Sequence, residues 1–181
     1  MAIELEKKYR LGAGARSAIT SRLQLSGAVF EGDQFEENVI FDLSALTGRP
    51  GILRIRKTAE TTLLTLKRRI AAESDIKIQM EHETEVSDGD AIRQIVFELG
   101  LVPACIYEKR RSIWTLFEAE IALDVLSFGE YMEIEGSEES IAKVEIALDA
   151  VTLDAEHRTY PRLTVENGIR IGGVFESRFD N

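Results

Sequence analysis

The sequence predicts an α+β fold built on about eight antiparallel strands with helices set between some of them. Three observations predict it. Short segments alternate apolar and charged residues with the period of two that belongs to a strand. Glycines and hairpin-length joints separate these segments. Three stretches with helical spacing interrupt them, two of these preceded by capping residues.

The first strand spans residues 3–11, with Ile3 and Leu5 on one face and Glu4, Glu6 and Lys8 on the other, and Gly12 and Gly14 end it. Residues 15–25 read as a helix that turns Ile19 and Leu23 to the core. Residues 38–43 form the second strand. Gly51 opens the third, residues 52–57, where Leu53 and Ile55 alternate with Arg54 and Arg56. The fourth, residues 61–69, sets Leu64 and Leu66 against Thr65, Lys67 and Arg69, and the short joint at Ala59-Glu60 makes a hairpin with the third. In the fifth, residues 77–86, Lys77, Gln79, Glu81, Glu83 and Glu85 share one face. Ser87 or Asp88 caps a helix that runs to about Leu99, and Gly100 closes it. Pro103 begins a strand reaching about Trp114, with Lys109 and Arg111 on one face. Residues 118–125 put Ile121, Leu123 and Val125 opposite Glu120 and Asp124, and residues 131–135 put Ile134 opposite Glu133 and Glu135. Ser137 caps a last helix through roughly Ala150.

Such strands fit two arrangements. An open sheet turns its charged face to water. A closed sheet lines a lumen with it and packs the apolar face against helices. The charges are sorted by strand: acidic with one lysine in the first, basic in the third and fourth, acidic in the fifth, basic in the sixth, acidic in the last two. Like charges two apart on one face lie about 7 Å from each other, a repulsion on the order of 2 kcal/mol at an effective dielectric near 20. Runs of both signs suit a site that takes metal cations and phosphate anions together.

Composition agrees with a compact folded chain. Its 181 residues, 44% hydrophobic and 30% charged, suffice for a core without disulfides, and the single cysteine, Cys105, fits a reducing compartment as a small buried residue. No apolar run is long enough to span a membrane. The acidic, alternating start lacks the features of a secretory signal, which predicts a cytoplasmic protein. A net charge of −10 disfavours nucleic acid as a partner, yet a cleft can focus positive potential for an anionic small molecule. His82 and His157 are far apart in sequence, which argues against a zinc site or a nucleophilic triad.

Glu4-Leu5-Glu6-Lys7-Lys8 has the ExExK form that opens the CYTH family, the triphosphate tunnel metalloenzymes. Leu53-Arg54-Ile55-Arg56 resembles the family's basic strand, Thr65-Leu66-Lys67 its lysine strand, Glu83-Thr84-Glu85 its ExE strand and Lys109-Arg110-Arg111 its KxR strand. Asp124, followed by Phe128-Gly129 and Glu133-Ile134-Glu135, is similar to its late aspartate, glycine turn and second ExE pair. ExExK alone is a weak signal; the ordered set is specific.

The resemblance implies a closed antiparallel barrel, a tunnel, over residues 1–170; residues 171–181 are left as a C-terminal tail or an edge contact. It implies a metal-dependent enzyme that hydrolyses a phosphoanhydride of inorganic triphosphate or of a nucleoside or organic triphosphate. The alternatives are a class IV adenylyl cyclase, making cyclic AMP and pyrophosphate from ATP, and a non-catalytic polyphosphate-binding protein. Arg54, Arg56, Lys67, Lys109 and Arg111 are then phosphate-binding, joined by Lys8. Glu4, Glu6, Glu133 and Glu135 are metal ligands for magnesium or manganese, two ions in all. Lys8, Glu83, Glu85 and Asp124 are catalytic candidates. Family members are often dimers, and in some a C-terminal segment, here near Tyr160-Pro161-Arg162-Leu163, plugs one tunnel mouth. Two departures stand out. Glu81 occupies a place where the family often has arginine, and only three residues precede ExExK, without the His-Phe pair of the cyclases, which favours the triphosphatase.

Overall fold

A computed structural model describes residues 2–48, 50–69 and 77–180, apart from the side chains at 2–4, 45, 46, 69 and 77. The elements follow in the order β1 (Ala2–Leu11), α1 (Ala15–Leu25), β2 (Val29–Asp42), α2 (Ser44–Thr47), β3 (Ile52–Lys57), β4 (Thr62–Arg69), β5 (Lys77–Glu85) and α3 (Gly89–Glu98). Then come β6 (Pro103–Leu116), β7 (Ala119–Leu126), β8 (Gly129–Glu135), α4 (Glu138–Leu148), β9 (Asp154–Ala155), α5 (Tyr160–Asn167), β10 (Ile169–Ile171) and β11 (Val174–Ser177).

Eight strands form a closed ring in the order β6-β2-β3-β4-β5-β1-β8-β7, and β7 returns to β6 through pairs such as Arg111↔Asp124. Every pairing in the ring is antiparallel. Closure of the sheet is therefore the arrangement adopted, as the sorting of charge by strand suggested. Because side chains alternate across a strand, closure gives each strand an inner and an outer face.

The outer face is apolar and helices cover it. Ile19 and Leu23 of α1, with Ile141, Val144 and Leu148 of α4, pack on Tyr9, Trp114, Ile121, Leu123, Met132 and Ile134. On the other side Val96 and Ile92 of α3 pack with Val39, Phe41, Leu53, Ile55, Leu64 and Leu66. Capping follows the sequence: Asp88 accepts the amides of Asp90 and Ala91, and Ser137 accepts that of Ser140. Between β6 and β7 the chain reverses through Phe117 and Glu118, both left-handed at φ 52° and 61°, the backbone of a tight hairpin.

Two parts of the fold differ from the sequence reading. The second strand starts at Val29 instead of residue 38. Its first half, Val29 to Glu37, mixes Gly32 with consecutive polar residues and so hides the alternation; a register shift between Phe30 and Gly32 places the irregularity opposite β6. A helix, α5, forms where no helix was expected, started by Thr159, whose hydroxyl accepts the Arg162 amide, and by Pro161 in its first turn. Within residues 171–181, β11 pairs in parallel with β6 through Phe175↔Cys105 and Ser177↔Tyr107, on the edge that β7 takes further along.

The seat of that C-terminal hairpin is tight. A Cβ at Gly168 would stand 2.5 Å from the Glu176 carbonyl oxygen and 2.6 Å from that of Thr164. Gly168→Ala is expected to destabilise the protein by about 1–3 kcal/mol, a fall of several degrees in melting temperature, measurable by thermal unfolding.

Candidate active site

The inner faces of the ring enclose a cavity of about 250 Å³. Lys8, Arg54, Arg56, Lys67, Lys109 and Arg111 line it, and so do Glu6, Glu81, Glu83, Glu120, Glu133 and Glu135. Towards one end the inner positions turn apolar or aromatic. Ile40, Tyr107 and Tyr131 cluster there, and Tyr160 and Leu163 of α5 pack on them. Thr159, Tyr160 and Pro161 thus join the cavity wall.

The deepest charges are two carboxylates with no exposed surface, Glu36 and Asp124. Lys109 lies between them, its Nζ 3.3 Å from Glu36 and 3.4 Å from Asp124. Arg111 presents a fork to Asp124, donating from Nε to Oδ1 and from Nη2 to Oδ2, both at 2.7 Å, and its Nη2 also reaches Glu133 at 2.5 Å. Arg56 is 3.5 Å from Glu36, while Asn38 and Gln34 donate to the same carboxylate from their own strand. Burial alone would push the Glu36 carboxyl up. Lys109, Arg111 and Arg56, with the Asn38 hydrogen bond, outweigh that and hold it well below the usual carboxylate range. Burial, helped by Arg111, lowers the Lys109 ammonium, which Asp124 and Glu36 oppose. Despite its burial, Arg111 is pushed well above its ordinary value by Asp124 and then Glu36. The Tyr160 hydroxyl donates to Asp124 at 2.7 Å, and burial followed by that negative charge raises it far out of range as a base.

The wall made by β3, β4 and β5 is built differently. Arg54 Nη2 is shared between Thr65 Oγ1 at 3.3 Å and Glu83 at 3.4 Å, and Thr65 donates to the same Glu83 oxygen at 2.8 Å. Lys67 pairs with Glu81, its cross-strand neighbour. On the third side Lys8 stands 3.3 Å from Glu133 and 3.9 Å from Glu6, donates to the Arg158 carbonyl at 3.1 Å, and lies over the Tyr160 ring at 4.1 Å.

A model of the CYTH domain matches residues 2–162. The chain belongs to the CYTH family. Solved structures of the same fold include the PH1012 protein of Pyrococcus horikoshii OT3, at 26% identity and TM-score 0.75 over 88% of this chain and 98% of that one. A conserved hypothetical protein of Pyrococcus furiosus matches at 23% and 0.75 over 88% and 99%. HpAC1 of Hippeastrum, described as a candidate adenylyl cyclase with a dominant triphosphatase activity, matches at 20% and 0.64 over 91% and 94%. Among curated proteins none matches.

In this CYTH chain the ring brings together Lys8, Arg54, Arg56, Lys67, Lys109, Arg111, Glu6, Glu83, Glu133 and Glu135 around one cavity. Two residues read as site residues, Glu85 and Asp124, are placed otherwise, and the Glu4 side chain lies outside the described residues. Glu85 is exposed near the end of β5, opposite Leu63, and is not among the cavity-lining residues. Asp124 is wholly buried against Lys109, Arg111 and Tyr160 and is not among the cavity-lining residues. Arg158 and Arg162 turn to Glu156 and Glu166 at the surface. The sequence reading does not reach Gln34 and Glu36, because its second strand begins at residue 38, and it gives Asn38 no role. It also left Glu120 without a role, although it shares the face of Asp124.

The CYTH family is metal-dependent in general, and the donor chemistry here fits a hard cation. Glu6, Glu135 and Glu120 occupy one row across β1, β8 and β7, through the pairs Glu6↔Glu135 and Glu120↔Glu135. Like charges directly opposite each other repel, and oxygen-only ligands suit magnesium or manganese. No group of three or more metal-binding side chains is close enough to cage an ion by itself among the described residues.

Glu36 should dominate the stability of the cavity. Glu36→Ala takes the buried carboxylate from Arg56 and leaves Lys109 with Asp124 alone, at a cost of about 3–5 kcal/mol, to be read from denaturant unfolding. Because its folded pKa is depressed from the ordinary 4.5, the contribution of Glu36 is full above that value and fades as pH falls towards the folded pKa. Stability measured from pH 7 to pH 3 should therefore fall less steeply in Glu36→Gln than in the wild type.

Proposed function

We propose that this protein is a metal-dependent hydrolase that opens a phosphoanhydride of a triphosphate held in the cavity. One observation carries the reading: six cations from four strands meet carboxylates from β1, β5, β7 and β8 in one enclosed space. A simple anion binder has no use for so many inward carboxylates. The triphosphatase activity ascribed to HpAC1 is consistent with this reading, although the likeness to it is one of fold.

Phosphoryl transfer needs alignment and charge neutralisation more than covalent help. Water oxygen bonds to the terminal phosphorus as the bridging oxygen–phosphorus bond breaks, and the water proton passes to solvent or to a carboxylate such as Glu83. Arg56, Lys109 and Arg111 hold phosphate oxygens from one side, with Arg111 fixed in advance by its fork to Asp124. Arg54 and Lys67 hold them from the other. Lys8 keeps Glu133 and Glu6 in place. Magnesium or manganese, two ions by our reading, would be held by Glu6, Glu133, Glu135 and Glu4, joined by Glu120, and would neutralise phosphate oxygens and acidify the attacking water.

The deciding experiment sets tripolyphosphate, ATP and thiamine triphosphate each against magnesium, manganese and chelator, scoring orthophosphate, pyrophosphate and cyclic AMP separately. Orthophosphate released from tripolyphosphate only with metal is expected. Cyclic AMP with pyrophosphate would make the protein a cyclase, and ligand-dependent thermal stabilisation without turnover would make it a binding protein. Lys109→Met should lower kcat/KM for the best substrate by about 10²-fold or more, the usual scale for a lost transition-state donor.

A further inference from the structure

The cations of the cavity are neutralised in two different ways. Arg56, Lys109 and Arg111 are matched to Glu36 and Asp124, which have no exposed surface and stand behind them, and among the described residues only Arg111 of the three also reaches a lining carboxylate, Glu133 at 2.5 Å. On the β3–β4–β5 wall the matching carboxylates are in the cavity lining itself. Glu81 is 7% exposed, pairs with Lys67 and stands 3.8 Å from Arg54 Nη2, the nitrogen that Glu83 and Thr65 also use. A phosphate oxygen brought to Lys67 or Arg54 arrives where a carboxylate already accepts. Burial fixes Glu81 there, because a carboxylate withdrawn from water keeps its charge only beside a cation.

We propose that Glu81 is a specificity-determining residue, a resident anion that competes with substrate phosphate for Lys67 and Arg54. This rests on the reading of the cavity as a polyphosphate site. Its consequence is that the two sides of the cavity grip unequally. Arg56, Lys109 and Arg111 keep their buried partners Glu36 and Asp124 when phosphate arrives, whereas Arg54 and Lys67 bind it only by displacing their own lining carboxylate. Removing that charge should tighten the hold on an anionic chain, an outcome opposite to the usual effect of altering a binding-site residue.

The test is the affinity of the full chain for tripolyphosphate in chelator at fixed low salt, by titration calorimetry. Wild type, Glu81→Gln, Lys67→Met and the double variant are compared, with thermal melts as a check on folding. Glu81→Gln should bind at least about tenfold more tightly, the low end of what one adjacent charge does to an ionic equilibrium. In the Lys67→Met background the gain should shrink to less than about threefold, because Lys67 is the nearer of the two cations and only the 3.8 Å contact with Arg54 is then left to release. Should Glu81→Gln fail to fold, Glu81→Asp, which draws the carboxylate back by one methylene, should still bind more tightly than the wild type. Unchanged or weaker binding overturns the inference, and so does an equal gain in both backgrounds, which would be a long-range charge effect. Failure of all the proteins to bind tripolyphosphate in chelator, together with neither binding nor turnover in magnesium, would sink the polyphosphate reading and the inference together.

Discussion

Glu36 and Asp124 are carboxylates without exposed surface, and the ring can close around them only because Lys109, Arg111 and Arg56 close with them. Withdrawing a single charge from water costs several kcal/mol. A sheet that turns its ionic face inward must therefore supply opposite charges in matched sets, strand by strand. The apolar outer face makes this arrangement obligatory. Once α1, α3 and α4 cover that face, the ionic side chains have only the interior left.

The same matching prepares the cavity for its ligand. Arg111 is held at two atoms by Asp124, and Asp124 is held in turn by Tyr160, so the guanidinium needs little rearrangement to meet an anion. Tyr160 belongs to α5, whose other contacts, through Leu163, are apolar and cover one end of the inner face. A helix near the end of the chain thereby completes both the wall and the hydrogen bonding of its deepest carboxylate.

Much of this was legible in the sequence, and the reason is periodicity. Arg54 and Arg56, or Lys109 and Arg111, sit two apart, and a strand puts such residues on one face whatever surrounds it. Alternation alone left the direction of that face open, and closure decided it. What stayed hidden has particular causes. Glu36 lies in a stretch, FEGDQFEEN, where nearly everything is polar and no apolar face marks the strand. Asp124 has the same spacing as a cavity residue, but its neighbours fold over it, a matter of three-dimensional stacking. Glu85 follows Glu81 and Glu83 in perfect alternation, yet the strand is ending and carries it past the rim. Tyr160 acts through a helix whose start depends on Thr159 and Pro161, short signals that compete with many others.

Ring closure also shapes how the chain must fold. Glu6 of β1 meets Lys77 on one side and Glu135 on the other, so the first strand to be synthesised has both its neighbours far along the polypeptide. Pairings so distant in sequence carry a large loop-closure entropy and slow the search for the native topology. On the ribosome, β1 would wait with its edges unsatisfied until β5 and then β8 emerged. Its Glu4, Glu6, Lys7 and Lys8 give it a charged character that discourages self-association during that delay. Glu6 and Lys8, which line the cavity of the finished protein, would thus protect the strand before it has an interior.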